Sequence, residues 1–529
     1  MLLREYSMGK YLIKRILHSL VSVIIVVGIV MVLIYSLMDR QLIFAQDPTY
    51  TNLGNNAKVA YQYRRWEEFG YIDYVPYTEW LQELVTNGEL TDEARAEVVS
   101  FARKAENDSE EVAEYVKRFT ETYESRGYTV KRLNAIMSGR KVANGGAQQL
   151  FAYKDKPLLG RLWKYLTGLI SVDNIHKAQG DVGERKITFT LHDPIYGGKK
   201  FSPAIMGNGT MHKYLLYFDS FFPYMHQNLV TLNLGKSYTV NQGVDVFETM
   251  NAPQGSYVLR EVTYPTGLTE ISADDLHTAT YVQGSREASA VNLDRFEDDY
   301  TAVITEKSGL SKVGYSFVIG IIATLMAYLL SVPLGIWMAL KKEKLVDKLG
   351  TIYIVFILAV PSLAYIFLFK AIGYKMGLPT TFDMEHLSPV MFVLPIVSLA
   401  LPSVANLMKW LRRYMIDQMN SDYVKFARSN GLFEPEIFSR HILKNAIIPI
   451  VHGVPGSILG SLVGAIITER VYVVPGAGNL LTKAINFYDN GVIVGVTLFY
   501  ATLSVISIIL GDVLMSLVDP RISFSSKAR

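Results

Sequence analysis

The sequence predicts an all-α membrane protein with six transmembrane helices and a large mixed α/β domain between the first and second helix. Of its 529 residues, 50% are hydrophobic and only 19% are charged, so the chain is more apolar than a typical soluble protein. A helix needs about 20 apolar residues to cross the hydrocarbon layer of a bilayer. Six stretches of suitable length lack Lys, Arg, Asp and Glu: 20–37, 313–340, 350–369, 387–408, 446–468 and 491–510.

The first apolar stretch follows the basic residues Arg4, Lys10, Lys14 and Arg15, and a secretory signal peptide begins in the same way. Its apolar run is longer than the usual core of a signal peptide, and no convincing small-residue cleavage site follows it. We therefore interpret it as a retained transmembrane helix.

The short loops predict the orientation, because Lys and Arg are enriched on the cytoplasmic side. With the N-terminus inside, the cytoplasmic segments hold eighteen Lys and Arg, whereas the short exterior loops hold four. The sequence therefore predicts a multi-pass protein of the cell membrane with both termini in the cytoplasm.

The long polar stretch between the first two helices is then an extracellular domain. Residues 41–312 carry a net charge of −6, so the basic balance belongs to the cytoplasmic face and does not indicate nucleic-acid binding. Within it, 90–128 predicts two helices with acidic, capped starts, 157–170 a helix and 186–191 a strand. The aromatic stretch 207–238 is typical of a domain core or of a helix on the membrane surface; a peptide-contacting surface is the alternative.

These boundaries give four segments. They are 1–39, the N-terminus and helix 1; 40–312, the extracellular domain; 313–520, a core of helices 2–6 with the cytoplasmic loop 409–445; and 521–529, a cytoplasmic tail.

The stretch 422–449 is charged and helix-forming, although it lies between two long apolar segments. Asp422 is placed to cap a short helix on which Tyr423, Phe426 and Ala427 share one face. Such a segment belongs in water at the membrane edge, where it would face a soluble partner.

Gly431 is predicted to end this helix, because glycine tolerates the left-handed conformation of a helix C-terminus. Leu432 would then fold back toward Phe426, as in a Schellman motif. Pro435 suits the first turn of a second helix.

These residues resemble the coupling loop of bacterial ABC importer permeases, in the oligopeptide and dipeptide branch. The matching residues are Asp422-Tyr423-Val424, Ala427-Arg428, Gly431-Leu432, Arg440-His441, Asn445-Ala446 and Pro449. The segments Glu469-Arg470-Val471-Tyr472, Pro475-Gly476-Ala477-Gly478 and Asp519-Pro520-Arg521 also resemble motifs of that family, so the resemblance covers about 313–522 and the first helix.

The large insertion resembles that of oligopeptide permeases of Gram-positive type, through KYLLYF, FPYMHQN and NLGKSY. In NLGKSY, Asn233 stands where the family has Asp, so whatever role that Asp has does not carry over.

The resemblance implies a type I ABC importer permease architecture and a function in oligopeptide import. The partners it implies are a second homologous permease subunit, two ATP-binding subunits that hold ATP and Mg²⁺, and an extracellular peptide-binding lipoprotein. It also assigns ATPase coupling to seven residues: Asp422, Tyr423, Phe426, Ala427, Arg428, Gly431 and Leu432.

Helix architecture adds two hypotheses. Prolines 333, 361, 395, 402 and 455 are predicted to interrupt their helices, and the freed backbone groups favour a watered channel between helices. Gly456, Gly460 and Gly464 repeat every four residues, which predicts a smooth face for helix packing within the chain or for the interface with a second subunit.

The sequence predicts no catalytic or metal site in this chain. It has no GxxxxGK[ST] phosphate loop, no HExxH, no GxSxG and no cysteine, so we expect no ATPase site, catalytic residue, metal or cofactor of its own. His18 and His452 are expected to bond locally, and Asp512 to pair helices. The substrate-binding residues stay unassigned.

Two alternatives stay open. A related importer for a nickel chelate, haem or a sugar would share the same coupling loop. A peptide-sensing membrane anchor would use the hairpin to recruit an effector without translocation.

Overall fold

A computed structural model describes five segments of the chain: 2–178, 182–218, 225–282, 290–296 and 298–518. The predicted motif Asp519-Pro520-Arg521 and the tail 521–529 lie outside the described residues, as does the middle of the aromatic stretch 207–238.

The chain begins with helix α1 (Leu2–Leu37), whose segment Ile13–Leu37 is long and apolar enough to cross a membrane. Its side chains are mostly uncovered by the rest of the chain. Val27 and Met31 are exceptions, because they are buried in a cluster with the last helix of the chain. The first helix is therefore packed into the helical part of the protein.

The region that follows, here called the α/β region, contains short helices and all the described strands. Its helices are α2 (Pro48–Asn52), α3 (Asn55–Glu68), α4 (Tyr77–Thr86), α5 (Asp92–Val98), α6 (Glu110–Ser125), α7 (Leu158–Thr167), α8 (Val246–Asn251) and α9 (Ala290–Phe296). Its strands are β1 (Ile72–Pro76), β2 (Thr129–Leu133), β3 (Met137–Ser138), β4 (Lys141–Val142), β5 (Gln149–Asp155), β6 (Ile170–Val172), β7 (Ile187–Thr190), β8 (Ala204–Gly207), β9 (Tyr214–Phe218), β10 (Met225–Gln227), β11 (Val230–Leu232), β12 (Arg260–Thr263), β13 (Thr269–Ser272), β14 (Asp274–Tyr281) and β15 (Thr301–Thr305).

Strand pairing in this region is antiparallel and divided among small sheets. One sheet has the order β1-β5-β2 and another the order β10-β9-β8-β7, and the remaining strands form two-stranded ribbons. Short ribbons bury little apolar surface by themselves, so the region depends on helices packed against them.

The two helices predicted in 90–128 are confirmed. Thr91 caps α5 by accepting a hydrogen bond from Ala94 N–H (3.3 Å), and Ser109 caps α6 by accepting one from Val112 N–H (3.3 Å). Phe119 of α6 is fully buried in an aromatic cluster that packs these helices together.

The remainder of the chain is helical. Its helices are α10 (Lys312–Leu340), α11 (Leu345–Ala359), α12 (Ser362–Lys375), α13 (Val393–Met419), α14 (Asp422–Ser429), α15 (Glu434–Glu436), α16 (Lys444–Ala446), α17 (Ile448–His452), α18 (Val454–Tyr472), α19 (Ala477–Asn486) and α20 (Asn490–Val518). A π-helical segment, Ile437–Leu443, joins α15 to α16.

The described residues contain four helical spans long and apolar enough to cross a membrane: Ile13–Leu37, Lys312–Leu340, Pro389–Met419 and Asn490–Val518. Two bent pairs bring the number to six if each pair is one span. They are Leu345–Ala359 with Ser362–Lys375, bent by 109°, and Glu434–His452 with Val454–Val463, bent by 40°. The chain is therefore a multi-pass, mostly helical membrane protein with four to six candidate spans.

The third predicted span is not one straight helix. Val360 is extended (φ −81°, ψ 131°), because proline disfavours the helical conformation in the residue before it, and Pro361 caps the next helix. The prediction that Pro333 and Pro402 interrupt their helices is wrong, since both lie inside the continuous helices α10 and α13.

The α/β region is attached to the helical part through Asp489, which is fully buried just before α20. Its carboxylate accepts hydrogen bonds from Ser237 Oγ (2.6 Å), from Tyr238 N–H (2.8 Å) and from the N–H groups of Thr239 and Val240 (2.9 Å each). A buried carboxylate is stable only when donors satisfy it. This set of bonds therefore holds segment 237–240 against the N-terminal end of α20.

Candidate functional site

The strongest candidate site is a helical hairpin, residues 421–445, between α13 and α17. Its first arm is α14, which ends in a Schellman motif: Leu432 N–H donates to Ala427 C=O (3.3 Å) and Gly431 N–H to Arg428 C=O (3.0 Å). Gly431 has φ +78°, a left-handed conformation that glycine adopts most readily. The predicted turn is therefore present at the predicted glycine.

The start of α14 differs from the prediction. Ser421, not Asp422, occupies the N-cap position, and its side chain makes no capping bond to the helix. Asp422 is the first helical residue and accepts a hydrogen bond from Lys425 Nζ (2.9 Å). This bond, together with the Lys425 charge, lowers the pKa of the Asp422 carboxyl.

One face of the hairpin is buried against the membrane helices. Val424 and Ala427 of α14 are buried in a cluster with Ile437, Ile442 and Met415. Leu432 packs against this cluster, whereas Phe426, toward which it was predicted to fold, is 68% exposed. Tyr423 is also exposed, so the three residues predicted to share one face of α14 differ in burial: Ala427 is covered by this cluster, whereas Tyr423 and Phe426 are not.

Tyr423 links the two arms of the hairpin. Its hydroxyl donates to His441 C=O (3.3 Å) and accepts from Asn445 Nδ2 (3.1 Å), and it contacts Gln418 at the end of α13. These bonds therefore connect the two arms to each other and to the end of α13.

The turn of the hairpin presents aromatic side chains. Phe426 is 68% exposed and Phe433 is 80% exposed. Beside them, Arg428 donates to Glu434 (Nε to Oε1, 2.7 Å) and braces the turn. The sequence analysis did not select Phe433 as a candidate functional residue. The signal that could have identified it is its position, since this aromatic residue lies two residues after the turn-forming Gly431. Exposed aromatic residues on a rigid, polar turn are typical of a surface that a partner covers.

A cavity of about 440 Å³ lies between α12, α13 and α18. Among the described residues, no charged side chain lines it. Polar side chains from all three helices do: Ser362, Ser398, Ser403, Asn406, Ser457, Ser461 and Thr468. Apolar residues such as Tyr365, Leu399 and Ile467 complete the wall. The arrangement suits a polar but uncharged ligand.

The predicted small-residue face lies on α18 beside this cavity. A Cβ added to Gly456 or Gly460 would meet no atom within 4 Å, and Gly460 lines the cavity. Gly464 is in the same helix, but its surroundings lie outside what the structure describes. The close helix contact within the chain is elsewhere on α18, where Leu462 Cδ2 lies 3.1 Å from the Cβ position of Gly320.

A buried carboxylate, that of Glu469, connects the C-terminal end of α18 to two other helices. Glu469 accepts hydrogen bonds from Ser316 Oγ of α10 (2.6 Å) and from Asn479 N–H of α19 (3.1 Å). A Cβ on Gly476 or Gly478 would overlap its carboxylate or the adjacent helix. The glycines of this motif therefore make room for Glu469, which joins three helices.

His18 bonds locally and Asp512 pairs helices, as expected, whereas His452 contacts a different helix. His18 Nδ1 bonds to Lys14 C=O within its own helix (2.8 Å), and Asp512 lies 3.5 Å from Arg15 and 3.6 Å from His452, so it links α1, α17 and α20. In the part of the chain that the structure describes, no group of three or more His, Asp and Glu is arranged to hold a metal ion.

The chain is similar to known transport proteins. Residues 331–524 match the family described as "Binding-protein-dependent transport system inner membrane component". The chain is 34% identical to the oligopeptide transport system permease protein AmiC of Streptococcus pneumoniae over 532 residues, which cover 98% of this chain and 99% of that protein.

Other relatives match a smaller part. The dipeptide transport system permease protein DppB of Bacillus subtilis is 30% identical over 220 residues, which cover 40% of this chain and 68% of that protein. A solved structure, "Crystal structure of an amino acid ABC transporter with histidines", matches 40% of this chain and 92% of its own, with a TM-score of 0.30 and 18% identity.

Proposed function

Because the chain belongs to the family of oligopeptide transport system permease proteins, we propose that it is a membrane subunit of an ATP-driven importer that carries oligopeptides into the cytoplasm. The similarity over nearly the full length of a curated oligopeptide permease supports this function most strongly. The structure also supports this function, because the hairpin exposes Phe426 and Phe433 at its turn while Val424 and Ala427 are buried against the membrane helices.

The proposed topology has six transmembrane helices, with each bent pair as one span and both termini in the cytoplasm. The α/β region, 40–312, is then extracellular, and 313–520 forms the permease core. Two clusters support this arrangement. Asp512, Arg15 and His452 come together near one end of the bundle, while Glu469 and Asp489 lie near the end that carries the α/β region.

The hairpin is proposed to couple this chain to an ATP-binding subunit. Phe426 and Phe433 would insert into a cleft of that subunit, and Val424 and Ala427 would transmit its movement to α13 through the buried cluster. Asp422, Tyr423, Arg428, Gly431 and Leu432 would hold the hairpin in shape. ATP and Mg²⁺ would bind to the partner, and this chain would itself hydrolyse no ATP.

The uncovered face of α18 is proposed to meet a second homologous permease subunit. The cavity that Gly460 lines would then form half of a path between the two subunits. Its hydroxyl and amide groups suit peptide bonds, and its lack of charge suits side chains of varied sequence. A second ATP-binding subunit and an extracellular peptide-binding lipoprotein complete the proposed assembly.

Cysteine mapping tests the topology and the coupling contact, because the chain has no cysteine of its own. Single cysteines at Ser429 in the hairpin and Ser125 in α6 are treated with a membrane-impermeant maleimide in intact cells. We expect Ser125→Cys to be labelled and Ser429→Cys to be labelled only after the membrane is opened; the reverse pattern contradicts the topology.

The same approach tests the coupling partner. Phe433→Cys should cross-link to the ATP-binding subunit of the complex, whereas Phe201→Cys should not; Phe201 is also a largely exposed aromatic residue, 69% against 80%, but lies in the α/β region. Equal cross-linking at both positions, or none at Phe433→Cys, contradicts the proposed docking site.

A further inference from the structure

A second cavity, of about 220 Å³, lies where α1 ends and the α/β region begins. Three basic side chains and two tyrosines line it, together with one carboxylate, one serine and two apolar residues: Arg40, Lys156, Arg161, Tyr35, Tyr71, Asp155, Ser36, Met38 and Leu158. Peptide transport as proposed above does not use this pocket, which lies on a different part of the chain from the cavity between α12, α13 and α18.

The three basic side chains of this pocket differ in whether a carboxylate pairs with them. Arg40 bonds Asp155 (2.5 Å) and Lys156 bonds Asp73 (2.9 Å). The guanidinium of Arg161 instead lies between two rings, 3.8 Å from the centroid of Tyr35 and 4.1 Å from that of Tyr71. Among the described residues, no carboxylate lies within 4.0 Å of it. A guanidinium held in this way is prepared to bind an anion, and its planar fork matches the oxygens of a phosphate.

The position of α7 places the pocket at a membrane surface. Leu162 Cδ2 of α7 lies 3.6 Å from the Cβ position of Gly28, which is nine residues before the end of α1 at Leu37. At 1.5 Å per residue, this contact is roughly 13 Å below the end of α1. If the predicted span 20–37 fills the hydrocarbon layer, Leu162 lies at the depth of acyl chains, and Arg161, beside Tyr35, lies near the headgroups.

The surface around the pocket is apolar where it would meet lipid. Leu159 and Trp163, one turn apart on α7, are 78% and 70% exposed. Directly after α7, strands β6 and β11 pair Val172 with Val230 and Ile170 with Leu232, and all four side chains are exposed. Tryptophan and leucine beside basic residues are typical of a helix in the membrane interface.

We propose that this pocket binds the phosphate of a phospholipid headgroup, in the leaflet on the side of the α/β region, and that α7 and the β6–β11 ribbon rest in that leaflet. The continuity of the pocket with the apolar surface and with α1 favours a lipid over a free anion. The proposal does not depend on which side of the membrane the α/β region faces, nor on what the chain transports. A failed test of lipid binding would therefore leave the proposed function unaffected, and the reverse is also true.

The test measures phosphatidylglycerol retained by the intact importer complex in native mass spectrometry. Arg161→Met should lower the affinity about tenfold or more, since it removes a charge-assisted pair. Lys164→Met, on the same helix but not in the pocket wall, should retain the lipid. Ser36→Trp fills the pocket without removing a charge and should also lose it.

Each contrary outcome overturns the proposal. Equal losses in Arg161→Met and Lys164→Met would indicate general charge attraction, and retention by Ser36→Trp would place the lipid elsewhere. Displacement of the lipid by inorganic phosphate alone would indicate a free-anion site. If Arg161→Met does not fold, the Ser36→Trp result decides the matter.

Discussion

Gly431 and Phe433 lie two residues apart in the hairpin and have different physical roles. Gly431 permits the turn, because its φ of +78° strains any residue with a Cβ even though the space around it is open. Phe433 presents a large apolar surface, 80% of which the described residues leave exposed. The first residue determines where the hairpin turns, and the second is available to a partner.

At this scale we expect Phe426→Ala and Phe433→Ala to reduce peptide uptake and peptide-stimulated ATP hydrolysis severalfold or more, because exposed aromatic anchors commonly dominate an interface. Thermal stability of the chain should hardly change, since both side chains are exposed. Uptake and ATPase assays of the reconstituted complex measure the effect.

Phe201→Ala is the matched control, because Phe201 is 69% exposed in the α/β region. Normal ATPase stimulation in the double variant Phe426→Ala, Phe433→Ala would argue against docking through the turn.

Local sequence rules predicted the glycine turn correctly, because a left-handed residue after a short helix almost specifies glycine. They did not indicate which face of α14 is buried. Helical spacing alone groups Tyr423 with Phe426 and Ala427, but the face that is buried depends on α13, to which Val424 and Ala427 pack. Tertiary contact, which no local pattern contains, decided this point.

At the scale of elements, α18 has two contrasting faces. Leu462 packs tightly against Gly320 of α10, while Gly456 and Gly460 face open space. The sequence indicated a smooth face from the glycine repeat, but it did not distinguish packing within the chain from an interface with another subunit. That distinction requires knowledge of where the neighbouring helices lie.

We expect Gly460→Leu to leave the chain folded and inserted, because the side chain has room and leucine favours a helix by somewhat under 1 kcal/mol relative to glycine. Assembly with the second permease subunit should fail, since the added side chain would separate the helices. Co-purification of the two subunits measures the result.

Gly320→Leu should instead destabilise the chain itself, since Leu462 occupies the space. Normal co-purification and uptake with Gly460→Leu would place the subunit interface on another surface.

The positions of the prolines predicted one helix break correctly and two others wrongly. A proline is tolerated inside a long membrane helix, as Pro333 and Pro402 are, so its presence alone does not fix a break. At Pro361 the preceding residue adopts an extended conformation, and the two helices meet at 109°. The sequence contains the proline, but the choice between a tolerated kink and a turn depends on the surrounding packing.

At the scale of the whole molecule, the α/β region and the helical part form a connected body. Asp489 holds segment 237–240, and a single apolar cluster includes Val27 of α1, Val246 of α8 and Val492 of α20. The amount of apolar sequence and the length of the polar insertion predicted a membrane protein with a large additional region. The sequence did not predict that these buried contacts would join the two parts.

The connection has a mechanical consequence. Because α20 contacts the α/β region at one end and α17, which follows the hairpin, through Asp512 at the other, we expect a movement of the hairpin to be transmitted along α20. We propose that movement of the hairpin drives peptide import.

Uptake of labelled tetra- to hexapeptides in a strain that lacks this chain tests that claim most directly, with the intact chain, Gly431→Pro or Gly377→Pro supplied at equal membrane levels. Gly377 is a matched control, because it has φ +75°, ends α12 in the same kind of motif and donates one similar backbone hydrogen bond, to Tyr374 C=O. We predict that the intact chain and Gly377→Pro restore uptake and that Gly431→Pro inserts but does not. Normal uptake with Gly431→Pro, or no uptake with the intact chain, would contradict the account.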